Sequence, residues 1–88
     1  MELNTWQQCN CNKGSHRFEI DYFFTNDKIA GTAPPPAEVW MVLFIKGSED
    51  QKHCIAKSLS ILRQAKEVID IIARREALAF IDGCVLRA

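Results

Sequence analysis

Cys9-x-Cys11-x4-His16 is the first group in the chain whose residue types could do chemistry. Thiolates and imidazoles are soft ligands that suit zinc. Structural zinc sites usually separate the first cysteine pair by about two to four residues, so both sulfurs reach one ion around a tight turn. One intervening residue fits that geometry poorly. The spacing favours two incidental thiols, with a zinc site on Cys9, Cys11 and His16 as the alternative. Further on, His53 and Cys54 are adjacent and Cys84 stands apart. Adjacent helical side chains point about 100° apart, so His53 and Cys54 alone do not form a base–nucleophile pair. Glu19 and Asp21, two apart, read as a solvated strand face before an acid pair. The chain has no Gly-rich phosphate loop, no Gly-x-Ser-x-Gly and no His-Glu-x-x-His, so the common signatures of an enzyme are missing.

The elements that must position these residues can be read from hydrophobic period. Phe18, Ile20, Tyr22 and Phe24 alternate with Arg17, Glu19, Asp21 and Phe23, which predicts a strand over 17–25 with one wet face. Pro34-Pro35-Pro36 excludes helix interior and central strand and predicts a stiff connector. Val39 to Ile45 follows as an unbroken apolar run, the pattern of a strand covered on both faces. Residues 1–16 are polar and rich in Asn and Gln, with one Gly, and read as a loosely held arm.

After Lys46-Gly47, Ser48 and Gln51 have capping-box spacing, with Glu49 and Asp50 where a helix dipole favours acids. Ile55, Leu59, Leu62, Ala65, Ile69 and Ile72 continue at helical spacing, widened by Ile61, Val68 and Ile71. One helix from 48 to 82 would be about 50 Å long at about 1.5 Å per residue, so a break is expected, near Gln64–Lys66 or Arg74–Arg75. The last residues fit a helix to about Ile81 better than a hairpin on Asp82-Gly83, because Ala and Leu outnumber β-branched residues there.

Composition narrows the function classes. Eleven Lys and Arg balance eleven Asp and Glu in 88 residues, and 48% of the chain is apolar. Zero net charge argues against electrostatic capture of nucleic acid or an anionic membrane. Lys52, Lys57, Arg63, Lys66, Arg74 and Arg75 are interleaved with acids, as on a mixed solvated face. No apolar stretch approaches the roughly 18 residues of a membrane span. Met1-Glu2-Leu3-Asn4 lacks a basic segment and an apolar core, which predicts a cytoplasmic protein with reduced thiols.

Residues 34–81 carry a resemblance. Pro35-Pro36-Ala37-Glu38-Val39-Trp40-Met41-Val42-Leu43-Phe44 followed by Ser48-Glu49-Asp50-Gln51-Lys52-His53-Cys54-Ile55 resembles the C-terminal half of phosphotransferase-system IIA domains of the fructose, mannitol and nitrogen-regulatory type. The resemblance implies an apolar strand, an acidic turn and a helix opened by His53. It also implies a phosphoryl-carrier role for His53, with His16 as the acceptor.

Read from the residues, the chain is a small α+β domain: a flexible arm over 1–16, then one domain over 17–88. Its sheet includes strands near 17–25 and 38–46, packed by helices between 49 and about 81. Trp40, Val42 and Phe44 share one strand face, opposite Val39, Met41, Leu43 and Ile45. One helix layer covers one face only. The expectation is a non-enzymatic interaction or regulatory module without a cofactor, forming a homodimer or docking a protein partner through Trp40, Val42 and Phe44.

Overall fold

The computed structural model describes the backbone of residues 1–47 and 51–87 and the side chains of residues 1–47 and 51–81. Four strands, β1 (Gln7–Lys13), β2 (His16–Thr25), β3 (Glu38–Lys46) and β4 (Gln51–Ser58), form an antiparallel meander in sequence order. A 3-10 turn at Leu59–Arg63 leads into one helix, α1 (Lys66–Arg87), which packs on one face of the sheet. This is a small α+β fold.

The β2 and β3 boundaries agree with the hydrophobic period to within a residue. Two other expectations are corrected. Residues 7–13 are not an arm but the edge strand β1, with Cys9 opposite Ile20 and Cys11 opposite Phe18. Cys9 and Cys11 point inward while Gln8, Asn10 and Asn12 point out, a period of two that the polar composition conceals. Gly14, at φ 61°, supplies the positive φ of the two-residue turn into β2.

Residues 51–58 are not the start of a helix. They form β4, with Met41 opposite Ile55 and Val42 opposite Cys54. Of the expected cap, Gln51 opens this strand, whereas Ser48, Glu49 and Asp50 lie outside the described residues. Pairing to an apolar interior strand outweighs local helix preference here. The helix begins at Lys66, where a break was expected, and continues through Gly83, so the hairpin alternative is set aside. Its stripe against the sheet is Ile69, Ala73, Ala77 and Ile81 at steps of four. Val68 and Ile71, expected inside, are 41% and 51% exposed on its outer side.

The core lies between α1 and the inward residues of all four strands, with Ile20, Tyr22, Phe24, Met41 and Leu43 fully buried. The helix is fastened by polar contacts as well. The Tyr22 hydroxyl donates to Asp70 Oδ1 at 2.5 Å, and Lys66 Nζ donates to Asp70 Oδ2 at 2.8 Å. Residues 1–6 run from the helix side to the other face. Met1 and Leu3 pack against the core, the Asn4 N–H donates to the Phe24 carbonyl, and Trp6 emerges on the open side.

Candidate functional site: the open face of the sheet

Alternation along the strands sends Phe23, Trp40, Val42, Phe44, Cys54 and Ala56 to the face that α1 does not cover. Val42 is fully buried even so. The cover comes from within the chain, and it is partial. The Trp6 ring lies 4.7 Å from Phe23 in an edge-on arrangement and 5.6 Å from Phe44, yet Trp6 remains 58% exposed. The connector also reaches this side, since Trp40 Nε1 donates to the Thr32 carbonyl at 3.1 Å. Trp40 and Phe44 themselves are half-buried. Trp6 and Phe23 therefore join Trp40, Val42 and Phe44 on one face, with Trp6 in contact with both phenylalanines. Trp6 is not legible as a cover from the sequence, because nothing in its spacing fixes where an N-terminal residue returns.

The other end of the same face is charged. Arg17, Glu19 and Asp21 stand on β2, Lys46 on β3 and Lys52 on β4, and Lys46 Nζ pairs with Asp21 at 2.9 Å. Asp21 and Lys52 flank Phe44 in one register row, so the charged groups run up to the edge of the aromatic residues.

The residues whose types could do chemistry are not brought together. His16 starts β2 at the exposed rim, with its ring against Phe18. His53 lies within β4 and stacks on Phe80 of α1 at 4.7 Å, so it does not open a helix. Six residues of register separate His16 from Tyr22, which is aligned through Leu43 with His53. The two histidines are therefore about 20 Å apart along the strand direction. Cys9 and Cys11 sit in the core beneath α1. Among the described residues no three His, Cys, Asp or Glu side chains group to hold a metal ion. Cys84 lies beyond the described side chains.

Burial pushes the Cys9 thiol up to about 11, with the nearby Asp70 carboxylate acting in the same direction. Cys11 and Cys54 are also raised by burial. The Tyr22 phenol is raised by burial and then by the hydrogen bond it donates to Asp70. Folding therefore favours the neutral form of each. Their stabilisation is complete below the ordinary values of 9.0 and 10.0 and is lost as pH rises above them. Denaturant titrations are expected to show stability falling by about 2–3 kcal/mol between pH 9 and pH 11 on account of Cys9, and falling further through Tyr22. Cys9→Ala should flatten the first part of that profile, and a slope unchanged by this substitution would contradict the assignment.

Fold and site together define a four-stranded meander with a single helix layer and one open aromatic face. Comparison with protein-family models, curated proteins and solved structures finds no match. Among the described residues no helix is long and apolar enough to cross a membrane.

Proposed function

We propose that the protein is a non-enzymatic contact module that self-associates through the face bearing Trp6, Phe23, Trp40, Val42 and Phe44. The observation that carries this reading is Trp6, a large aromatic held over two phenylalanines while 58% exposed. Indole in that setting has apolar area to gain from a partner, and tryptophan is the residue type most enriched among interface anchors. The chain has zero net charge, so copies meet without long-range repulsion.

Sedimentation and light scattering across a concentration series test this. The expected result is a concentration-dependent dimer. Trp6→Ala should weaken it roughly tenfold to thirtyfold, with the fold retained because Trp6 sits at the surface. A strict monomer at high concentration overturns the reading, as does a dimer that Trp6→Ala leaves unchanged.

A further inference from the structure

We infer that a second copy of the chain docks on the outer side of α1, helix on antiparallel helix, with Glu67 of each copy set against Arg75 of the other and Ile71 meeting Ile71 between them. This contact uses the layer opposite the aromatic face and does not depend on it.

The outer side of α1 is not the polar surface that a helix over one sheet ordinarily presents. Ile69, Ala73 and Ala77 on its inner side are fully buried, yet Val68 and Ile71 on its outer side are exposed. Apolar residues thus stand on both sides of one helix, and the sheet covers only one of them.

The charges of α1 say what fits there. Lys66 pairs with Asp70, Glu76 accepts from Lys57 Nζ at 3.1 Å, and Arg74 Nε donates to the Asn10 carbonyl at 2.7 Å. Glu67 and Arg75 are both exposed, and their side chains find no partner among the described residues. The two stand more than two turns apart, about 12 Å along the axis at about 1.5 Å per residue, so they cannot pair within one helix.

A second copy supplies both partners at once. Glu67, Ile71 and Arg75 follow at steps of four and form one ridge on the helix, in the order acid, apolar, base. Two such ridges laid parallel about a two-fold axis would set acid on acid and base on base. Laid antiparallel about a two-fold axis at Ile71, they set each acid on the other copy's base and isoleucine on isoleucine. The surface is then self-complementary. Val68 lies beside Ile71 and adds apolar area at the centre. Arg74, on the other flank, is turned away from the axis by its bond to Asn10 on β1. The two sheets lie on the outside of the helix pair, clear of each other. A contact confined to one helix ridge belongs to the small, weak class of interface.

Sedimentation and light scattering at low salt on the Trp6→Ala chain isolate this contact, because that substitution weakens the aromatic face and leaves α1 unchanged. The expected result is a dimer at the highest soluble concentration. Glu67→Arg and Arg75→Glu are exposed substitutions, and circular dichroism checks that each variant folds. Each alone sets like charges opposite each other twice and should weaken that dimer roughly tenfold or more. The double variant Glu67→Arg/Arg75→Glu re-forms both pairs and should restore it. If the unmodified chain dimerises but the Trp6→Ala chain stays monomeric, the helix contact falls and the aromatic-face reading stands. The same holds if the residual dimer ignores the reversals or is not restored by the exchange. If association of the unmodified chain ignores Trp6→Ala but follows the charge variants, the aromatic-face reading falls and the helix contact stands. If the unmodified chain is a monomer, both fall together.

Discussion

Replacing Asp70 with alanine is expected to lower folding stability by about 2–3 kcal/mol, measured by urea denaturation. Asp70 is 8% exposed and its two oxygens serve two partners, the Tyr22 hydroxyl and the Lys66 ammonium. The alanine leaves the Tyr22 hydroxyl buried without that acceptor, which costs about 1–3 kcal/mol. Loss of the Lys66 pair adds at most about 1 kcal/mol because Lys66 is partly solvated. Better helix propensity offsets about 0.5 kcal/mol. Tyr22→Phe should cost about 1–2 kcal/mol by removing the donor while keeping the ring. The double variant Tyr22→Phe/Asp70→Ala should then cost less than the two single changes added together, because neither orphaned group remains. Strict additivity would show that the two side chains act separately.

The second large effect is expected where the helix meets the sheet. Ala73 and Ala77 are fully buried at the centre of the stripe that Ile69 and Ile81 flank. Small side chains there let α1 lie close on the strands. Ala73→Leu inserts a branched side chain at a fully buried position between helix and sheet, and overpacking of this kind costs about 1–3 kcal/mol. The denaturation midpoint should fall accordingly. Ala79→Leu, on the exposed side of the same helix, is the control and should change stability by less than about 0.5 kcal/mol. Equal effects at the two positions would mean that the stripe does not set the helix–sheet distance.

How far the sequence reaches depends on the strength of each period. β2 and β3 were legible because their alternation is long and their side chains large. The open face bearing Trp40, Val42 and Phe44 followed from the same arithmetic. β1 was written as plainly, in Gln8-Cys9-Asn10-Cys11-Asn12, but its inward residues are small thiols, which carry little hydrophobic signal. β4 misled for the opposite reason. As an edge strand it is half-buried on both sides, and a Ser48–Gln51 spacing ahead of Ile55 imitates a helix start.

The sequence by itself determined an α+β domain, two interior strands, a helix near the C-terminus and an apolar face that one helix cannot cover. These follow from local periodicity, which every chain segment carries within itself. Only the tertiary structure decided that residues 51–58 pair with β3, that Tyr22 meets Asp70 across 48 positions, and that Trp6 returns over Phe23 and Phe44. Each of those depends on which surfaces meet when the sheet closes, and no local pattern encodes such a meeting. The histidines and core cysteines illustrate the same division: their types suggested chemistry, but the register holds His16 and His53 about 20 Å apart and puts Cys9 and Cys11 in the core.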